Sequence, residues 1–204
     1  MTDEGTLSNA VVHGDPAAAH VLDLFEDMRC SYCADVEHDL GAAIAELVDR
    51  GALRVRYQVA NFLDRGDETG PSTSSLAALG WAARQGVEQF VALRSAILAY
   101  RRENGSAGLA DQDTLIEIAV GVPGLDVEAL RADLVADTYR PWAVEAGAAS
   151  LAALKAAWAA AEAEGQSGTP AAFLDGTFVE LFTPDDKPLS PSEFAAGVEA
   201  ILNR

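Results

Sequence analysis

The chain of 204 residues carries 14 Lys and Arg against 32 Asp and Glu, a formal net charge of −18, and 50% of its residues are hydrophobic. This composition is typical of a globular protein with a sizeable core and argues against a disordered chain. The negative charge repels nucleic-acid phosphates and anionic lipid surfaces, so neither nucleic acid nor a membrane is expected as a partner.

The N-terminal segment Met1–Gly14 is polar and lacks the basic and apolar regions of a secretory leader. No stretch of the chain approaches the roughly 18 uncharged apolar residues that a membrane-spanning helix needs. These features predict a cytoplasmic protein, with an extracytoplasmic location as the alternative if a leader has been removed.

The segment that follows predicts a strand, a helix and a second strand. Val21–Phe25 is a short apolar run, preceded by a predicted edge strand at Val11–Val12. After Cys33, apolar residues recur at helical spacing until Gly51, and the strict alternation of Leu53–Val59 predicts another strand. A right-handed βαβ crossover is the expected unit.

Residues 66–164 predict helices almost throughout. The Ala-rich stretch 143–163 is interpreted as a packed helix, because alanine has the highest helix propensity and large apolar residues recur along the stretch. The expected helix starts are Ser72–Ser75, the N-cap residues Asp111 and Asp126, and Pro141.

The C-terminal part returns to strands. Ala171–Leu174 and Phe178–Phe182 predict two strands, and Asp175-Gly176 between them is a two-residue hairpin turn. The segment Ser190–Glu193 predicts a capping box, with proline at the first position of a last helix.

The predicted order is therefore βαβ, a helical block and then ββα, which defines an α/β protein. Because the flanking strands need each other to complete one sheet, the helical block is interpreted as an insertion. Residues 10–66 and 165–204 are predicted to form one discontinuous domain, with residues 67–164 as an inserted helical domain.

The only cysteines, Cys30 and Cys33, lie where the first long strand passes into the predicted helix. Their disulfide would close a tiny ring and add little stability, so reactivity explains the pair better than structure does. Free N–H groups and the helix dipole stabilise an anion at a helix start. Cys30 is therefore predicted to be the nucleophile, and the more covered Cys33 the resolving thiol.

Charged residues near the pair predict only moderate activation of Cys30. Glu26, Asp27 and Asp35 disfavour a thiolate by repulsion, and Arg29 is expected to be exposed and screened. Sites of this kind have cysteine pKa values of about 3.5–7.5, and the upper part of that range is expected here.

Three segments resemble the DsbA-like branch of the thioredoxin superfamily: Phe25–Cys33, Gly14–Pro16 and Ser167–Phe173. The resemblance covers residues 10–204 and implies a thioredoxin fold with an all-helical insertion. It also implies a thiol–disulfide oxidoreductase that uses its cysteine pair, without a cofactor, on protein or low-molecular-weight thiols.

By the same resemblance, the Thr169-Pro170 peptide bond is expected to be cis and to pack beside the cysteines. The Thr169 backbone would pair with an extended substrate peptide. Ser31 and Tyr32, between the two cysteines, complete the expected substrate-binding set. Taken alone, the Thr-Pro dipeptide is typical of an ordinary turn before a strand.

Two positions depart from that family's pattern. Ser31 stands where the family usually has proline, and Leu24 stands where many relatives bury an acid that relays protons for the resolving thiol. Glu26 shares the strand register of Leu24 and is the candidate relay here. An exposed carboxylate at the strand end is the favoured interpretation of Glu26, since glutamate is seldom fully buried.

Three alternatives to this assignment are a metal site, a binding module and a different kind of redox enzyme. A metal site would need two more ligands, and His38 is the only imidazole nearby, so no metal is predicted. A non-catalytic thioredoxin-fold binding module or chaperone-like partner would use the fold without turnover. A strong extracytoplasmic disulfide oxidase would use the same cysteines. The missing leader and the moderate activation of Cys30 instead favour a cytoplasmic reductase, or an oxidoreductase linked to low-molecular-weight thiols.

Overall fold

The structure, a computed structural model, describes residues 7–161 and 167–203. Its strands are β1 (Val11–His13), β2 (Val21–Asp27), β3 (Arg54–Ala60), β4 (Ala171–Leu174) and β5 (Thr177–Val179). They form one sheet in the order β1–β3–β2–β4–β5, in which β2 and β3 are parallel and the other neighbours antiparallel. The central position of β2 buries Leu22, Leu24 and Phe25.

The predicted strands are confirmed, with shifted ends. β2 runs two residues further than predicted, to Asp27, so the chain stays in the sheet until just before the cysteines. β5 is shorter than predicted and ends at Val179. Beyond it, Phe182 forms only an isolated bridge with Pro188. Asp175 and Gly176 both have positive φ, 49° and 84°, which confirms the hairpin turn between β4 and β5.

The described residues form seven α-helices, in the parts of the chain where helices were predicted. They are α1 (Ser31–Asp49), α2 (Pro71–Gln85), α3 (Val87–Asn104), α4 (Gln112–Val120), α5 (Val127–Ala136), α6 (Arg140–Ala160) and α7 (Pro191–Leu202). None of these helices is long and apolar enough to cross a membrane.

Most predicted helix starts are confirmed. The side chains of Asp111 and Asp126 each accept a hydrogen bond from a first-turn N–H group. Ser190 and Glu193 form the reciprocal capping box of α7. Pro141 lies in the first turn of α6.

The predicted cap at Ser72–Ser75 is wrong, because these residues lie inside α2 and are buried. The helix begins at Pro71, and its free N–H groups find a partner from another segment. The carboxylate of Asp64 accepts hydrogen bonds from the N–H groups of Ser72 and Thr73, at 3.1 and 2.8 Å. A side chain seven residues upstream of the helix thus replaces the local cap.

Helices α2 to α6 lie between β3 and β4 in the chain, where the insertion was predicted. One continuous buried cluster joins Leu24 of β2 to Trp81 of α2 and Phe90 of α3. The helices therefore share a core with the sheet. The division between residues 66 and 67 stays a prediction, and the second boundary, at 164/165, lies outside the described residues, as do residues 1–6 of the N-terminal segment.

Candidate active site

The two cysteines lie at the junction of β2 and α1. Cys30 is the N-cap residue of α1, with extended backbone angles (φ −69°, ψ 126°), and its N–H donates to the carbonyl of Asp27 at 2.9 Å. Cys33 lies in the first turn and is fully buried, whereas Cys30 is 8% exposed. Both are free thiols. The helix start therefore leaves Cys30 slightly exposed and covers Cys33 completely.

The two sulfurs have opposite acidities. A hydrogen bond from the Cys33 thiol, aided by backbone N–H groups and Thr169 and opposed by burial, lowers the pKa of Cys30 to about 7. Burial, followed by the hydrogen bond and the negative charge of Cys30, raises the pKa of Cys33 well above its usual range. At neutral pH, Cys30 is therefore the sulfur available as a thiolate.

Thr169 and Pro170 lie directly against this pair. The Cys30 thiol donates to the carbonyl oxygen of Thr169 at 3.2 Å, across 139 residues of sequence. The Thr169-Pro170 peptide bond is cis. The hydroxyl of Thr169 is buried without another hydrogen-bond partner among the described residues, so it is free to donate to a Cys30 thiolate.

An aromatic cleft of about 280 Å³ lies on one side of the pair. Tyr32, which is 48% exposed, meets the ring of Phe182 edge-on at 5.7 Å. Trp158 packs against Phe178 at 5.0 Å and forms another part of the wall. The other lining residues include Thr169, Pro170, Glu180 and Asp186. Ser31 is exposed and lies outside this lining.

Glu26 is not the exposed carboxylate that the sequence favoured. It is fully buried, and both of its oxygens accept hydrogen bonds from Arg94 of α3, at 2.5 Å each. Arg94 also donates to Glu37 of α1 at 2.8 Å and lies 4.7 Å from the ring centre of Tyr57. The exposed interpretation is wrong because a cation 68 residues away enters the core to neutralise the carboxylate.

The carboxylate of this buried ion pair acts on Cys33. Burial raises the pKa of Glu26, and the charge of Arg94 opposes that rise. The negative charge of Glu26 is one of the causes that raise the pKa of Cys33. The Glu26 carboxylate is therefore electrostatically coupled to the thiol, although its role as a proton relay stays a prediction.

Residues 6–200 match the family model described as Thioredoxin. The chain belongs to the thioredoxin family. No curated protein matches its sequence significantly. Among the described residues, no group of three or more His, Cys, Asp and Glu side chains is arranged to hold a metal ion.

Solved structures relate the chain more narrowly to DsbA-type thioredoxin folds. MdbA from Corynebacterium diphtheriae, described as a thiol-disulfide oxidoreductase, has a TM-score of 0.71 and 21% identity, over 84% of each chain. Chlamydia trachomatis DsbA has a TM-score of 0.70 and 18% identity, over 94% of this chain and 89% of that one. Mycobacterium tuberculosis DsbA has a TM-score of 0.64 and 22% identity, over 97% and 94%. This thioredoxin-family chain therefore has the DsbA-like fold.

Sequence reasoning missed two arginines around the thioredoxin-family site, Arg94 and Arg101. Arg101 donates from its Nε to the carbonyl of Arg29, next to Cys30, at 2.6 Å. Arg94 carried a local signal, because it lies at helical spacing from the apolar residues Phe90 and Leu98. A charged residue on the buried stripe of a helix implies a buried partner.

Asp27, the last residue of β2, anchors the loop before Cys30. Its buried carboxylate accepts hydrogen bonds from the Ser72 hydroxyl and from the N–H groups of Arg29 and Leu63, at 2.6, 3.0 and 3.2 Å. Burial outweighs these bonds and raises the pKa of Asp27 to about 6. The ionised carboxylate therefore costs the folded protein stability at neutral pH.

This raised pKa predicts a pH-dependent effect of Asp27→Asn. Because the folded-state pKa of Asp27 lies above the ordinary value of 3.8, the folded protein binds the carboxyl proton more tightly than the unfolded chain does. Wild type therefore loses stability as the pH rises from 3.8 through about 6. The unfolding free energy of the variant, relative to wild type, should rise by about 2 kcal/mol between roughly pH 4 and pH 7. Urea unfolding at several pH values measures it; a pH-independent difference would contradict the prediction.

Proposed function

We propose that this chain is a thiol–disulfide oxidoreductase acting through Cys30 and Cys33 on protein or low-molecular-weight thiols. The observation that carries the proposal is the pair itself. A thiol with a pKa of about 7 caps a helix, and a covered thiol with a raised pKa lies one turn behind it. A structural disulfide or a core cysteine does not require one thiol with a lowered pKa and another with a raised pKa.

In the reducing direction, the Cys30 thiolate attacks one sulfur of a substrate disulfide. The substrate S–S bond breaks, and the second substrate sulfur leaves as a thiolate that takes up a proton. Cys33 then loses its proton and attacks the Cys30 sulfur, which releases the first substrate sulfur as a thiol. Two electrons pass from the protein to the substrate, a Cys30–Cys33 disulfide forms, and an external thiol must reduce it for the next turnover.

Five other residues support these steps. The Thr169 carbonyl, 3.2 Å from the Cys30 sulfur, is a suitable acceptor for the backbone N–H of an extended substrate. Pro170 and Tyr32 contribute to the wall of the aromatic cleft that such a substrate would contact, and Ser31 is exposed between the cysteines. Glu26 is proposed to take up the proton of Cys33, because it is a carboxylate whose charge acts on that thiol.

The moderate acidity of Cys30 favours a reductase or an oxidoreductase linked to low-molecular-weight thiols. Its pKa of about 7 is close to that of the thioredoxin nucleophile and far above the roughly 3.5 of a strong oxidant. A cytoplasmic location is part of this proposal, and a strong extracytoplasmic oxidase is the alternative that the redox potential would distinguish.

The proposal predicts that the wild-type protein accelerates the reduction of insulin disulfides by dithiothreitol. The control is the same protein with Cys30 alkylated by iodoacetamide, which should give the rate of dithiothreitol alone. Equal rates for the two samples would contradict the proposed oxidoreductase activity. Equilibration with glutathione buffers should give a reduction potential between about −270 and −180 mV, whereas a value near −120 mV would favour the strong oxidase.

A further inference from the structure

A second cleft, of about 670 Å³, has Cys30 in its lining and shares no lining residue with the aromatic cleft. Three arginines, Arg29, Arg65 and Arg101, line it together with Cys30 itself, and we call it the arginine cleft. The whole chain has only 14 Lys and Arg in a protein of net charge −18. Three cations in the cleft that Cys30 lines are therefore a marked local reversal of the protein's charge.

The positive charge of the arginine cleft is not cancelled. Asp64 is the one carboxylate that lines this cleft in the described part of the chain, and it is held by the N–H groups that begin α2. It lies 3.5 Å from Arg29. Arg65 and Arg101 form no ion pair with any described residue. Two guanidinium groups therefore remain available to a ligand.

Two of the arginines are fixed in place before any ligand arrives. Arg29 donates from Nη1 to the carbonyl of Leu63 at 2.9 Å, and Arg101 donates from Nε to the carbonyl of Arg29 at 2.6 Å. Hydrogen bonds of this kind hold the side chains without neutralising their charge, because the acceptors are neutral carbonyls. Such prior ordering lowers the entropy cost of binding.

The two clefts therefore differ in charge. The aromatic cleft contains the acidic residues Glu180 and Asp186, whereas the arginine cleft carries a net positive charge.

We propose that the arginine cleft binds a carboxylate carried by the thiol or disulfide substrate close to its reacting sulfur. The planar guanidinium group matches a carboxylate with two parallel hydrogen bonds, which a neutral side chain does not offer. The inference rests on the proposed redox function and names its substrate class. Two sources share this chemistry: an acidic residue next to a cysteine in a protein substrate, and a small thiol with its own carboxylates, such as glutathione.

The test compares acidic and neutral substrates in single-turnover reactions with the reduced protein. One pair is a disulfide-bridged peptide with Glu beside the cysteine and the same peptide with Gln. The other pair is glutathione disulfide and the uncharged hydroxyethyl disulfide. Since intrinsic reactivities differ, each variant's rate constant is divided by the wild-type value for the same substrate.

Arg65 is the residue to change, because it is exposed and makes no side-chain hydrogen bond to a described residue. Its backbone is left-handed (φ 54°), a conformation that Asn and Asp tolerate, so Arg65→Asn and Arg65→Asp should fold normally. The rate constants for acidic substrates should fall about threefold in Arg65→Asn and about tenfold in Arg65→Asp, with a smaller loss at high salt. Arg131→Asn, an exposed arginine on α5, is the matched control.

The outcomes separate the inference from the function it rests on. A loss confined to the Glu peptide or to glutathione disulfide supports the cleft and identifies which source of carboxylate it uses. Equal losses for acidic and neutral substrates, or no loss for either, overturn the inference while wild-type turnover still stands. Wild-type protein that reduces none of the four disulfides contradicts the redox function itself.

Discussion

Replacing Cys30 with serine is expected to lower the turnover of a disulfide substrate by at least about a thousandfold. A serine hydroxyl does not form an anion near neutral pH, and substrate binding alone cannot replace the missing nucleophile. The fold should be kept, since Cys30 lies at the edge of the core and serine is a favoured N-cap residue. Insulin reduction measures the loss, and circular dichroism checks the fold. A variant that keeps more than a tenth of the wild-type rate would exclude Cys30 as the nucleophile.

The matched variant Cys33→Ser separates the two sulfurs. Its Cys30 remains a nucleophile, because the serine hydroxyl can still donate a hydrogen bond to the thiolate. The first exchange should occur and the second should not, so the protein should accumulate as a mixed disulfide with its substrate. Mass spectrometry of the intact protein after mixing with a disulfide peptide measures this adduct. Rapid multiple turnover without any adduct would show that Cys33 does not resolve the intermediate.

The second large effect concerns stability. Arg94→Met should lower the free energy of unfolding by about 3–5 kcal/mol, because it leaves the fully buried Glu26 without its partner. The double variant Glu26→Leu/Arg94→Met should recover most of that loss, since two apolar side chains replace both fully buried charges and the partly exposed Glu37 keeps its hydrogen bond from Ser95. Urea unfolding followed by tryptophan fluorescence measures all three proteins.

Arg56→Met is the control for this ion pair. Arg56 also makes two hydrogen bonds to one carboxylate, that of Asp23, but its side chain is 46% exposed. Water screens such a pair, so its loss should cost no more than about 1 kcal/mol. If Arg94→Met costs no more than Arg56→Met, or the double variant is less stable than the single one, the Glu26–Arg94 pair is not the buried charge pair that the geometry indicates.

The position of the redox pair could be predicted because its determinants are local. An apolar strand, two cysteines and a helical pattern follow one another directly, and the Asp175-Gly176 hairpin and the Ser190–Glu193 capping box are similarly encoded within a few residues. Patterns of this length report the structure correctly wherever the partners of each backbone group are sequence neighbours.

The burial of Glu26 could not be predicted, because Arg94 lies far away in sequence and only the packing of α3 against the sheet brings the two together. The prediction of the N-cap of α2 was wrong for the same reason. Asp64, rather than a serine of the helix itself, satisfies the first N–H groups, and a Cβ at Gly70 would lie 2.4 Å from that carboxylate. In both cases a tertiary partner overrides the local preference.

The long interval between the two halves of the sheet has a consequence for the growing chain. Cys30 and Thr169, in contact in the finished protein, are 139 residues apart, and β4 can join β2 only after the intervening helices have been made. Closing so large a loop is slow compared with forming the local β2–α1–β3 unit. An incomplete chain therefore already carries both thiols while Thr169 and Pro170, which lie against them in the finished protein, are still missing.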